Sequence, residues 1–170
     1  MTDQHNVALV PLAASNMDGY DHCVDVVALE RRYIGIVHAP SLYETLKYVE
    51  GVRSAGGHIL LEVEGDKVVG WCDTKRETGD GFTYLARIGM GLLPEYLAMG
   101  IGRRMLDDAL SWAWDSGAER VELSVFTDNE AAIRLYRAVG FVEEGIRRKG
   151  RKLDGHYTDI TEMAVFRPGF

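Results

Sequence analysis

Residues 91–104 read GLLPEYLAMGIGRR. The stretch starts as the end of an apolar run, breaks at Pro94, and turns helical after Gly100, with Ile101, Met105, Leu106, Ala109 and Leu110 at i, i+3 and i+4 spacing. A strand that feeds a helix through Gly100-Ile101-Gly102 exposes the free N–H groups and the positive dipole end of a helix start. Glycine there lets an anion approach the backbone. Two readings fit: a diphosphate cradle to which Arg103 and Arg104 add charge, or a turn whose glycines serve backbone geometry alone. A triphosphate loop needs Gly-Lys-Ser/Thr, which is absent, and a dinucleotide turn needs a third glycine where Met105 stands.

On the N-terminal side the pattern predicts a strand over 6–12, a helix over 20–36 and a second helix over 42–54. The second helix is opened by the capping box Ser41-x-x-Glu44 and stopped by Gly56-Gly57. Strands follow over 58–63 and 67–73 around Glu64-Gly65-Asp66, then a long one over 82–93. On the C-terminal side the helix from Gly100 closes at Gly117, and residues 120–126 alternate as a strand. Asp128 or Asn129 caps a helix that stops at Gly140, and strands over 141–149 and 156–166 join at Asp154-Gly155. The order β-α-α-β-β-β-α-β-α-β-β, with no linker or repeat, predicts an α/β single domain over 1–170.

The 170 residues are 46% hydrophobic and 26% charged, the balance of a globular chain. A net charge of −7 argues against nucleic-acid and polybasic membrane partners. Cys23 and Cys72 have no metal-ligand spacing, so no metal is expected and both thiols read as buried in a reducing compartment. The first twenty residues carry no basic leader and no window reaches about 18 apolar residues, which predicts a cytoplasmic protein.

The stretch at 97–102 resembles the acetyl-CoA signature of the GNAT superfamily of N-acetyltransferases, Arg/Gln-x-x-Gly-x-Gly/Ala. Leu97 stands where Arg or Gln is usual, which removes a side chain that braces the loop. A second motif supports the first from a distance: residues 129–141, NEAAIRLYRAVGF, are similar to the family's N-x-x-A-x-x-L-Y-x-x-x-G-F helix. The lead-in MGLLPEY at 90–96 and the closing segment from Asp154 to Met163 add to the resemblance.

The resemblance implies a mixed sheet whose two central parallel strands splay apart around acetyl-CoA. It implies that Met90, Gly91 and Leu92 meet the thioester arm with their backbones, Gly89 and Gly91 bulging the strand. Leu97, Ala98, Met99, Gly100, Ile101, Gly102 and Arg103 would cradle the diphosphate, and Asn129 would bind the cofactor while capping its helix. Tyr136 would be the catalytic acid that protonates the leaving thiolate, against the plain reading of a core tyrosine on an apolar helix stripe. Arg134 and Arg137 would stand near the adenosine 3′-phosphate or, on the plainer reading, form a solvated helix face. The general base stays open: Ser124 stands where some members carry Glu, leaving Glu122, Asp73 or a water chain. His58 and His156 read as ordinary strand residues, and Trp112 and Trp114 cannot share one helix face. Glu30, Tyr33 and Tyr43 would help shape the acceptor site, where acidic residues would suit a cationic amine. The implied reaction is acetyl transfer from acetyl-CoA, as cosubstrate, to a primary amine: a small molecule, polyamine, amino acid or peptide N-terminus. A non-catalytic CoA-binding module and a nucleotide-binding α/β protein are the competing readings, and a homodimer stays open.

Overall fold

The computed structural model describes residues 6–170. Residues 1–5, part of the N-terminal stretch read above as lacking a leader, lie outside the described residues. The chain runs β1 (Val7–Pro11), α1 (Met17–Leu29), α2 (Leu42–Ser54), β2 (His58–Glu64), β3 (Lys67–Arg76) and β4 (Leu85–Leu92). It continues through α3 (Ile101–Asp115), β5 (Arg120–Phe126), α4 (Glu130–Ala138), β6 (Val142–Leu153) and β7 (His156–Phe166). Short 3-10 turns at Ala14–Asn16 and Pro94–Tyr96 precede α1 and follow β4. This is the predicted order.

Seven strands form one sheet in the order β1-β2-β3-β4-β5-β7-β6. Every neighbouring pair is antiparallel except β4 and β5. The parallel pair is joined only at Leu85↔Arg120, Ala86↔Val121 and Arg87↔Glu122. Beyond those pairs β4 keeps its ladder with β3 to Leu92, and β5 keeps its ladder with β7 to Phe126, while the two strands no longer pair with each other. A gap therefore opens in the middle of the sheet.

Helices cover both faces. On one face α1 packs Tyr20 edge-on against Trp71 of β3, ring centroids 6.1 Å apart, and α2 hangs Tyr48 over Asp73. On the other face α3 buries Met105, Leu106, Ala109 and Ala113 against the sheet, the stripe its spacing predicted. Trp112 and Trp114 flank that stripe, both half-buried, and Trp112 stacks on His58 at 5.4 Å. Glu62 is fully buried and answered by two hydrogen bonds from Arg104.

Several boundaries differ from the sequence expectation: β3 runs on to Arg76, α1 begins at Met17, and three more have a visible cause. Helix α1 ends at Leu29, not near residue 36, because Arg31 turns left-handed at φ 58°; the apolar Tyr33 and Ile34 go to a cavity wall instead of continuing the helix. Strand β4 begins at Leu85, since Gly81 at φ 79° and its neighbours form a turn. Strand β6, expected to stop at Lys149, runs on to Leu153 through a break in register between Arg147 and Arg151. Among the described residues no helix is long and apolar enough to cross a membrane, and no cluster of His, Cys, Asp and Glu is placed to hold a metal. Both cysteines are buried and free.

Candidate active site

The gap between β4 and β5 opens into a cavity of about 850 Å³. Residues 88–92 form one wall, residues 123–126 the other, and the starts of α3 and α4 close it on one side. Strand edges that have parted leave backbone N–H and C=O groups without ladder partners, and buried groups of that kind require a ligand or water. An extended arm carrying its own amides satisfies such edges as an added strand does.

Glycines on β4 have a steric cause that sequence reading misplaced. No bulge occurs there: β3 and β4 pair in continuous register from Arg76↔Ala86 to Gly70↔Leu92. Gly91 lies opposite Trp71, and a Cβ on it would stand 2.1 Å from Trp71 Cη2. Gly89 lies opposite Asp73, and its Cβ would stand 3.1 Å from the carboxylate. The two glycines make room for two side chains of β3 on the α1–α2 face.

At the far end of the cavity the loop from β4 to α3 turns left-handed at Ala98, φ 61°, and again at Gly100, φ 79°. The first backbone bond of α3 runs from Arg104 N–H to Gly100 O, so the N–H groups of Ile101, Gly102 and Arg103 have no acceptor within the helix. Gly100, the residue before the helix, offers no capping side chain, and a Cβ built on it meets nothing within 4 Å. The open space, the free amides and the dipole end fit a diphosphate. Gly102 serves packing as well: a Cβ there would stand 3.0 Å from Leu135 and 3.5 Å from the end of Met90.

Met90, Gly91, Leu92, Leu97, Ala98, Gly100, Gly102, Arg103, Asn129 and Tyr136 all line this cavity. Met99 does not; it is exposed to solvent. The Ile101 side chain is buried in the core, so only its backbone faces the loop. Leu97 is 48% exposed and lines the mouth without bracing it through a polar group. Arg103 lines the cavity and pairs with Asp107 at 3.2 Å, while Arg104 turns away to Glu62, which removes it from the expected charge around the diphosphate. Asn129 accepts a hydrogen bond from Ala132 N–H, the capping role its position predicted. Arg134 reaches Glu130 at 3.4 Å and Arg137 bonds Glu143.

Tyr136 projects from the buried stripe of α4 and is only 9% exposed, packed against Phe141 at 5.9 Å. Among the described residues its hydroxyl makes no hydrogen bond. Burial, reinforced by Cys72, pushes the phenol well above its usual pKa, so it stays protonated at neutral pH. Asp73 is 5% exposed and accepts a 2.7 Å bond from Tyr48 Oη. Burial pushes this carboxyl up to about 6 against the pull of the Tyr48 and Trp71 donors. Glu122 is held by Arg120 at 2.8 Å and Arg87 at 3.4 Å, which neutralises it as a base. Ser124 lines the cavity and donates to Glu162 of β7, so a carboxylate stands one strand away from the position where the signature residue is missing.

Of Glu30, Tyr33 and Tyr43, expected to shape an acceptor site, only Tyr33 lines the cavity, which Val27, Ile34 and Gly35 and, from the closing hairpin, Gly150, Arg151 and Ile160 also line. No Asp or Glu lines the cavity. His156 lines a smaller adjoining cavity of about 250 Å³ with Arg31 and Asp154, which pair at 2.6 Å.

Comparison with known proteins gives the chain's family and relatives of the same fold. The family model described as "Acetyltransferase (GNAT) family" matches residues 25–141. The N-alpha-acetyltransferase RimI of Mycobacterium tuberculosis is 46% identical over 66 residues, 39% of this chain and 40% of that protein's length. The uncharacterized N-acetyltransferase YoaA of Bacillus subtilis is 26% identical over 149 residues, covering 81% of this chain and 80% of YoaA. Among solved structures, yncA of Salmonella typhimurium with its cofactor acetyl-CoA superposes with a TM-score of 0.87 at 19% identity, over 96% of this chain and 95% of that one.

Proposed function

The chain belongs to the acetyltransferase (GNAT) family, and from that premise we propose that it transfers an acetyl group from acetyl-CoA, the family's cosubstrate, directly to a primary amine. The observation that carries the reading is the gap between β4 and β5, which ends on the free amides of α3 and holds a buried phenol. Backbone groups of Met90, Gly91 and Leu92 hold the thioester arm, and one N–H polarises the acetyl carbonyl. The amides from Ala98 to Arg103 hold the diphosphate, and Asn129 borders the arm between them.

The amine nitrogen forms a bond to the acetyl carbon as the carbon–sulfur bond breaks. Tyr136 gives its proton to the departing sulfur, whose thiol form titrates near ~8.5. Asp73 does not line the cavity, so the proton that the amine loses would reach its carboxylate through a water beside Gly89, whose missing Cβ would stand 3.1 Å from it. Phenol and carboxylate return to their starting states by exchange with solvent.

Thiol release from acetyl-CoA in the presence of a panel of primary amines tests the reading. Acetyl-CoA at a hundred times its Kd stabilises a protein by ~2.7 kcal/mol, which at this size raises the thermal midpoint by roughly 5–10 °C. ATP and NAD should not do so. A rise with acetyl-CoA but no turnover on any amine favours a non-catalytic CoA-binding module, the reading to which Leu97 and Ser124 lend weight.

A further inference from the structure

The cavity is lined by three arginines and by no acid. Two of the three are answered on their own helices: Arg103 by Asp107 and Arg134 by Glu130. Arg151 has no carboxylate partner among the described residues. Its guanidinium lies over the Phe126 ring at 4.6 Å, and one of its N–H groups donates to Arg31 O at 2.8 Å. The remaining donors of its planar fork are left for a ligand.

The fold builds this position deliberately. Between Arg147↔Ile160 and Arg151↔Thr158 the bulged strand β6 carries two more residues than β7. The bulge turns at Lys149, φ 53°, and Asp159 pins it by accepting from Lys149 N–H at 2.7 Å. Gly150 is required beside it, since a Cβ there would stand 2.8 Å from Ile160. A bulge re-aims the side chain that follows it, and here that side chain is Arg151, which lines the cavity. The same cavity is lined by the Phe126 ring beneath its guanidinium and by Tyr33, Ile34 and Ile160.

We propose that the acceptor is an α-amino acid with an apolar side chain, whose carboxylate is held by Arg151; this rests on the acetyl-transfer reading above. A half-buried guanidinium beside an aromatic ring binds a carboxylate through paired, charge-assisted hydrogen bonds. The apolar wall takes the side chain. A polyamine or a lysine would bring a second cation to Arg151 and into a cavity with no acid of its own; of the acids in the adjoining cavity that Arg151 also lines, Asp154 is paired with Arg31 and Asp128 is exposed.

The experiment compares L-leucine, L-methionine and L-phenylalanine with their amides and with spermidine as acceptors, on the full chain and on Arg151→Gln, Arg151→Lys and Arg148→Gln. Arg148 is an exposed residue of the same strand and controls for the general charge of the hairpin. The acids should exceed their amides in kcat/KM by at least about tenfold. Arg151→Gln should remove that preference through KM with kcat little changed, Arg151→Lys should restore part of it, and Arg148→Gln should leave it intact. Transfer to amines with no preference for the carboxylate overturns the inference and leaves the acetyltransferase reading standing. If no amine is acetylated, that reading falls, and calorimetric titration of N-acetyl-L-leucine against N-acetyl-L-leucinamide into the CoA-saturated protein decides the carboxylate site separately. Equal binding of the two, or binding unchanged by Arg151→Gln, overturns it; tighter binding of the acid that Arg151→Gln abolishes supports it.

Discussion

Tyr136 and Asp73 sit on opposite faces of the sheet: Tyr136 with Cys72 and Met90, Asp73 with Trp71 under α1 and α2. Burial acts on both, and the consequences differ. The Tyr136 phenol, held above its usual pKa, is protonated at neutral pH; in its proposed role as the acid for the leaving thiolate, Tyr136→Phe should lower kcat about a hundredfold while leaving acetyl-CoA affinity unchanged. Steady-state kinetics beside a binding titration separate the two effects. Asp73 titrates near ~3.9 in the unfolded chain and at about 6 in the fold. Between those values the folded protein holds a proton that the unfolded chain has lost. Stability therefore falls as pH rises from about 4 through 6, and the cost of the buried charge is complete at neutral pH. Asp73→Asn should flatten that slope in denaturant titrations between pH 4 and 7 and raise stability at pH 7 by on the order of 1 kcal/mol. The same change should slow acetyl transfer, whose rate in the parent protein should rise with pH through about 6.

At the scale of elements, β4 is the piece on which the others depend, for its two edges do different things. One edge is zipped to β3 over its full length; the other leaves β5 after Arg87. Gly91→Ala drives a methyl group into the Trp71 ring, which Tyr20 backs from α1, and neither a rigid indole nor a paired strand can give way cheaply. A loss of roughly 1–3 kcal/mol should appear in chemical denaturation. Much of this was legible beforehand. The period-two pattern of β5, the Ser41–Glu44 box and the stripe of α3 are local signals, and each element formed where its signal lay. What local signals could not show is what lies across a gap. The β4 glycines read as a bulge because their neighbours Trp71 and Asp73 come from another strand. Arg104 read as an anion ligand because its partner Glu62 is 42 residues away. The strand expected over 141–149 stops short of Arg151, because the glycine and the left-handed lysine within RRKGRK at 147–152 act through β7, which the local pattern does not show.

Across the whole molecule, three residue pairs join β4 and β5 at one end, and beyond them each strand stays paired only with its outer neighbour, β3 or β7. The acidic net charge of −7 is carried away from the cavity, whose charged lining is wholly cationic. That distribution suits a cosubstrate rich in phosphate at one end and an acceptor carboxylate at the other. The central claim, that the parted strands and the start of α3 together form an acetyl-CoA site, is tested most directly by a crystal structure of the full chain with acetyl-CoA bound. The account predicts the diphosphate against the amides of Ile101, Gly102 and Arg103, the thioester arm lying along residues 88–92, and no ladder bond between β4 and β5 past Arg87 and Glu122. A cofactor bound elsewhere with Gly100–Gly102 vacant, or strands that pair along their whole length, would contradict it.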